Sequence, residues 1–394
     1  LWSPAIDWEP TVAASPDGDR VVQATTRYGA SCPGCADPSI VVRFSGDGGD
    51  TWGPDIFPAP SPGAQNDPVL HVGGDGTTWL AYMDGYAPGV AVVRSDDGGR
   101  SWSEPVHVAR STGWSDKPWL AVSPDGRLVH VAFNAGASWV VTSRDGGRTF
   151  GTPVRTGDDG RYWFHTGGAV AADGRTVFAV VDFSRDYRGA AGIGVLQSED
   201  GGRSWRARRL DSSAEMPGCP TDPSCPRGFL GSSAAIAADG EGRLMLVYNA
   251  GDADRRPQAL WYRTSADGRR WSPRRRLVTD GDRIHHVFPA VASAPGAGDF
   301  RVAWQDDGAP GGRWNTRYRR TRDGGRSWGP VRRLSRRASG AFYKDRHGYA
   351  SPYGDYLGIA VDGSRRDHVI WGAGASYRGV GGTWFTRGDP GDGR

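Results

Sequence analysis

Hydrophobic positions along this chain fall in short runs of Val, Ala, Trp and Tyr, separated by clusters of Gly, Asp and Pro. Runs that short, closed off by turn formers, predict an all-β protein with many short strands. Helix-forming stretches rich in Ala, Leu, Glu and Lys are nearly absent. No apolar run approaches the roughly 20 residues a membrane-crossing helix needs.

The turns between the runs repeat. Ser45-Gly-Asp47-Gly-Gly-Asp-Thr51-Trp52 returns as Ser95-Asp-Asp97-Gly-Gly-Arg-Ser101-Trp102. Further copies are Ser143 to Phe150, Ser198 to Trp205 and Thr321 to Trp328, with a copy one residue shorter at Ser265 to Trp271. In such a turn the aspartate accepts hydrogen bonds from its own backbone and glycine supplies positive φ. The hydroxyl bonds locally, and the aromatic ring packs on a neighbouring sheet. These aspartates are therefore expected to be structural.

A second pattern precedes each turn: an apolar strand that begins after a loop, reverses and returns. Its starts are Pro10-Thr-Val-Ala, Pro68-Val-Leu-His, Pro118-Trp-Leu-Ala, Gly168-Ala-Val-Ala, Ala234-Ala-Ile-Ala, Pro289-Ala-Val-Ala and Leu357-Gly-Ile-Ala, seven starts for six boxes. Units of roughly 40 to 65 residues hold four short strands each, which is a propeller blade. The expectation is one seven-bladed β-propeller of four-stranded antiparallel blades over residues 1–394. Trp2-Ser-Pro4-Ala-Ile looks like the stretch that follows a complete box, as in Trp328-Gly-Pro. The N-terminal strand is thus expected to complete the last blade and remove an exposed edge.

Composition narrows the function classes. The net charge of +4 over 394 residues, with no dense basic stripe, is no nucleic-acid footprint. No membrane partner is expected either, and a monomer is. Four cysteines lie in two close pairs, Cys32 with Cys35 and Cys219 with Cys225. Local pairs of this kind predict two small disulfide loops and a secreted, extracellular protein. Zinc held by the Cys32–Cys35 pair is the rival reading.

The boxes resemble the Asp-box (BNR) repeats of the sialidase-like β-propellers, and the resemblance covers most of the chain. That architecture hosts glycosidases, polysaccharide lyases and binding proteins, so it points to a fold more than to a reaction. This chain departs from the sialidase pattern twice. That family has six blades where seven are counted here. Its Arg-Ile-Pro motif, whose arginine binds the substrate carboxylate, is represented here by Trp8-Glu9-Pro10. No arginine triad carries over, which argues against sialic acid as substrate.

Chemistry is expected on the face where the seven inner strands begin, because there the loops converge on the axis. Aligning the starts places Glu9, Asp67, Lys117 and Tyr356 nearest the axis, with Trp8, Asp116 and Asp355 one step out and His165 and His286 one step further. Converging titratable groups suit acid–base work. Glu9, Asp67, Asp116, Lys117, His165, His286 and Tyr356 are the catalytic candidates. Arg27, Trp8, Trp163, Trp314, Tyr343, Arg346, His347 and Asp355 are the substrate-binding candidates. His71, His107, His130 and His368 are expected to be packing residues.

Three functions fit. A secreted glycoside hydrolase of sialidase-like type would use Glu9, Asp67 or Asp116 as acid and Tyr356 or Tyr343 as nucleophile. A polysaccharide lyase would use His165 or His286 with a tyrosine, and Lys117 or Arg27 to neutralise a uronate. A non-catalytic glycan-binding propeller would show similar pockets in every blade, whereas these loops differ. The reading leans towards an enzyme acting on an oligo- or polysaccharide. No cofactor is required, and Ca²⁺ is possible among the Asp-rich loops.

Overall fold

The computed structural model describes residues 6–388 apart from 17, 30–31, 86–88, 110–113, 159, 172, 185–188, 218–230, 310–312, 336–343, 346–347, 350–355 and 375–380. Every regular element among them is a strand. The strands form seven antiparallel sheets in chain order, each an up-and-down meander from the axis outward, together with a small hairpin of Lys344–Asp345 and Gly348–Tyr349. The innermost strands are Ile6–Ala14, Gln65–Val72, Asp116–Val122, Arg161–Val170, Ala234–Ala238, His286–Ser293 and Leu357–Val361. Each packs beside the next, and the first packs beside the last, so the sheets close into a seven-bladed propeller.

Blades two to six have four hydrogen-bonded strands each. Blade one has three, extended by the bridge from Val42 to Ile56, and blade seven shows three. The expected closing strand falls on residues 1–5, outside the described residues. Ile6 and Asp7 already pair with Tyr28 and Arg27 inside blade one.

Each box joins the third strand of its blade to the outermost one. In blade four the Ser198 hydroxyl donates to Asp200 at 2.9 Å, and the Gly202 amide donates to the Ser198 oxygen at 2.8 Å. The Ser204 amide and hydroxyl then donate to Asp200 at 2.9 and 2.6 Å. The boxes also knit the ring by leaning on the preceding blade. Trp52 of blade one meets Phe385 of blade seven edge-on at 5.2 Å. Tyr262 of blade five donates its hydroxyl to Gly325 of the blade-six box at 2.6 Å. Gly325 has φ of 85°, and a Cβ there would stand 2.7 Å from the Tyr262 ring, so the position requires glycine. Between blades lie the apolar clusters, built from strands buried on both faces.

The hydrogen bonds from Ser204 and Ser198 hold the Asp200 carboxyl well below the usual carboxylate range. Its contribution is complete above the unfolded pKa of about 4 and is lost as pH falls through the lowered folded value. Asp200→Ala is expected to cost about 1 kcal/mol at pH 7, since water competes at this exposed turn. The deficit should shrink below pH 4. Urea unfolding at pH 7 and pH 3 measures both; a deficit independent of pH would assign it to the lost backbone geometry instead of the charge.

Candidate active site

The inner strands do not run straight into the axis. Register skips between Trp8 and Thr11, Asn66 and Val69, Asp116 and Trp119, and Val287 and Ala290. Within each skip one non-glycine residue adopts positive φ: Glu9 at 52°, Asp67 at 54°, Lys117 at 52° and Phe288 at 51°. A bulge re-aims a side chain, at a cost of about 1–2 kcal/mol for an L-residue in this region. The same distortion at four equivalent places, each before a proline, turns these side chains towards one another.

Three of them meet. The Lys117 ammonium lies 3.0 Å from Asp67 and 3.8 Å from Glu9. It also stands 5.0 Å above the Tyr356 ring of blade seven and 5.4 Å from the Phe164 ring of blade four. One ammonium touching groups from blades one, two, four and seven must sit close to the axis. Glu9 in turn accepts from the Thr26 hydroxyl and from the Asp67 amide, both at 3.1 Å, tying blade one to blade two.

Asp116 completes the cluster. It accepts from the Tyr162 hydroxyl at 2.6 Å and from the Lys117 amide at 2.9 Å, and its carboxyl hydrogen-bonds that of Asp67. Withdrawal from water, opposed by Lys117 and reinforced by the Asp67 charge, pushes Asp116 up to about 7. Burial opposes ionisation of Asp67 too, but the Lys117 charge and the hydrogen bonds outweigh it and hold Asp67 below its usual range. Two carboxyls in contact cannot both ionise easily, so Asp116 is the member of the pair that favours the proton. Below the cluster the inner strands line an axial cavity of about 150 Å³, walled at its upper end by Thr166, Ser233, Phe288 and Tyr356. Glycan-sized ligands need about 300 Å³ or more, so a sugar chain would lie across the mouth and not inside the channel.

The remaining candidates are placed elsewhere. His165 is fully buried, bonds Ser138 at 2.9 Å between blades three and four, and is pushed down to about 3 by burial. His286 is buried beside Asp280 at 3.2 Å, in blade six. Neither joins the Lys117 cluster: His165 turns to Ser138 of blade three and His286 to Asp280 in the connection into blade six. Arg27 spends its guanidinium on Asp7, at 2.6 and 3.0 Å, and on Asp55. Trp8, Trp163 and Trp314 are buried by their neighbours, Trp163 donating to Asp158 and Trp314 packing on His285, so none offers a face for stacking. Trp114, 47% exposed, is the large aromatic on show among the described residues. Tyr343, Arg346, His347, Asp355, Cys219 and Cys225 lie outside those residues. Cys32 and Cys35 form a disulfide. His130 and His368 are buried packing residues as expected, bonded to Thr142 and Asp362.

Tyr162 and Phe164 were not singled out in the sequence. The blade-four inner strand begins at Arg161, six residues before Gly167, the position aligned with Glu9. The alternation Tyr162, Phe164 on one face is the signal that points to them.

No family model matches the chain, and no curated protein matches it in sequence. Solved structures match in shape. An ulvan lyase from a new family of polysaccharide lyases superposes with a TM-score of 0.57 at 11% identity, covering 94% of this chain and 93% of its own. A Hadza microbial sialidase gives 0.54 at 17% identity, covering 97% of this chain, which spans 65% of the sialidase's length. YCF48 bound to D1 peptide gives 0.53 at 14% identity, covering 98% and 94%. Proteins with such different names share the architecture, so the likeness fixes the fold alone. In fold, the chain is a seven-bladed β-propeller similar in shape to these structures.

Proposed function

We propose that this protein is a secreted, carbohydrate-active enzyme of the glycoside-hydrolase kind, cleaving a glycan laid across the upper mouth of the channel. The carrying observation is the buried cluster in which Asp116 meets Tyr162 and Asp67 meets Lys117, an arrangement that raises the Asp116 carboxyl and holds the Asp67 carboxyl low. Protonating a glycosidic oxygen needs a carboxyl still carrying its proton at working pH, and glycoside hydrolysis commonly uses two carboxyls in different states. Asp116 is the proposed acid. Asp67 fixes its proton, Lys117 fixes Asp67, and Glu9 and the rings of Tyr356 and Phe164 hold Lys117. The Cys32–Cys35 disulfide supports the extracellular setting.

The sugar class rests on the sialidase and ulvan-lyase likenesses together with this acid–base site. Elimination is less well served by the described residues, since His165 and His286 are committed elsewhere and the Lys117 charge is already matched by Asp67 and Glu9.

The test is product analysis on a panel of neutral and acidic polysaccharides, following new reducing ends together with the ultraviolet absorbance of an unsaturated uronic acid. Reducing ends without absorbance are expected. Rising absorbance would mean elimination and overturn hydrolysis. Binding without cleavage across the panel would leave a glycan-binding propeller.

A further inference from the structure

The corner of blade six that holds His286 is built for something other than packing. Asp280 lies in the connection into the blade, His286 opens the innermost strand, and Asp306 stands directly opposite His286 in the antiparallel register. One ligand atom from each lies within 4.8 Å of the other two. We propose that Asp280, His286 and Asp306 bind a divalent transition metal with a zinc-like preference for mixed nitrogen and oxygen ligands.

Three observations carry this. The first is spacing. His286 Nε2 and Asp280 Oδ1 are 3.2 Å apart, long for a charge-assisted hydrogen bond. Two ligands about 2.1 Å from one tetrahedral ion stand about 3.4 Å apart, close to that separation. The second is the histidine itself. Its side chain is 1% exposed, and among the described residues its Nδ1 has no hydrogen-bond partner. Its Nε2 faces Asp280, so in the neutral imidazole that nitrogen can present a lone pair to an ion held with the carboxylates. The third is charge. Asp280 and Asp306 bring two carboxylates to the same corner as His286. Arg317 donates to one Asp306 oxygen at 3.0 Å. Among the described residues the other Asp306 oxygen takes the Gly308 amide, at 3.2 Å, and retains lone-pair capacity.

The donor set selects the metal class. Calcium takes six to eight oxygens, whereas two carboxylates and an imidazole suit zinc, cobalt or manganese. Two ligands are deeply buried and the third is 38% exposed, so the ion has a route in and a coordination position left for water. The site stands at the upper rim, separate from the Lys117 cluster, and does not depend on the reaction proposed above.

The experiment uses the full chain, stripped with chelator and titrated with Co²⁺ and Zn²⁺ by calorimetry, with the visible spectrum of the Co²⁺ form. One Co²⁺ per chain, displaced by Zn²⁺, is expected. Asp280→Asn, at an exposed position, should weaken binding at least about tenfold while leaving the unfolding midpoint of the metal-free protein in place. His286→Gln should remove binding. Absence of Co²⁺ binding up to about 1 mM would overturn the proposal, because no useful stabilisation follows from so weak a site. Binding undiminished by Asp280→Asn would overturn it equally, by placing the ion elsewhere.

Discussion

Asp116→Asn is expected to slow glycan cleavage by about 100- to 10 000-fold and yet to raise the unfolding midpoint at pH 8. The first effect follows from removing the proton that Asp116 carries near neutral pH. The second follows from linkage. The fold raises the Asp116 pKa from the usual carboxylate range to about 7. The stabilisation associated with its protonated form is therefore complete below the unfolded pKa of about 4 and is lost as pH climbs through 7. Asparagine is always neutral and can still accept from the Lys117 amide, while its amide nitrogen can donate to the Tyr162 oxygen. The variant should thus gain most over the wild type above pH 7 and little at pH 5. Thermal unfolding at both values and initial rates at saturating substrate measure the two arms. Unchanged rates would remove Asp116 from the chemistry. A midpoint lowered equally at both pH values would show that asparagine damages the packing instead. In the wild type the rate should also fall above about pH 7, where the acid loses its proton.

The architecture was legible in the sequence because its code is local. Each box satisfies itself within about seven residues, as Ser198, Asp200, Gly202 and Ser204 do, so the motif survives in the primary structure as a readable string. Counting strand starts then gave seven blades. The starts were set late, since the inner strand of blade one begins at Ile6 and not at Pro10. Proline marks the bulge and not the start. That bulge explains both what the alignment found and what it missed. Glu9, Asp67 and Lys117 were placed at the axis because they share a position before proline, and the structure brings all three together there. Asp116 joins by being next to Lys117. His165 and His286 were carried in by the same alignment, but their side chains turn to Ser138 and Asp280 and not to the axis. The partners that give the site its chemistry come from elsewhere: Tyr162 reaches Asp116 across 46 residues of sequence. Pairings of that separation leave no local pattern. The same holds for Asp280 and Asp306 around His286, which only the register of blade six brings together.

Arg301→Met is expected to cost about 3–5 kcal/mol in urea unfolding, the largest stability effect of the substitutions considered. Arg301 lies in the second strand of blade six with no exposed surface. It donates to Asp367 of blade seven at 2.7 Å and also bonds Asp299. Asp299 keeps Arg320 at 3.0 Å and Arg365 at 2.6 Å when Arg301 is gone, so its charge stays matched. Asp367 loses the guanidinium donor held at 2.7 Å. It is 1% exposed, and the Tyr318 hydroxyl at 2.5 Å supplies a hydrogen bond but no charge. The penalty is therefore chiefly that of a buried carboxylate losing one charged donor, and not the worth of the pair itself. That distinction can be measured. Adding Asp367→Asn to Arg301→Met should recover part of the loss, because the carboxylate charge that Arg301 balanced is removed while an acceptor for Tyr318 remains. Two losses that simply add would assign the cost to packing around the missing guanidinium. Blade seven is also where the ring closes onto blade one, and its Tyr356 caps Lys117 at the axis. A variant that loosens the joint between blades six and seven should then weaken the hold on Lys117 before it unfolds the protein. Cleavage by Arg301→Met should accordingly fall at temperatures well below its unfolding midpoint.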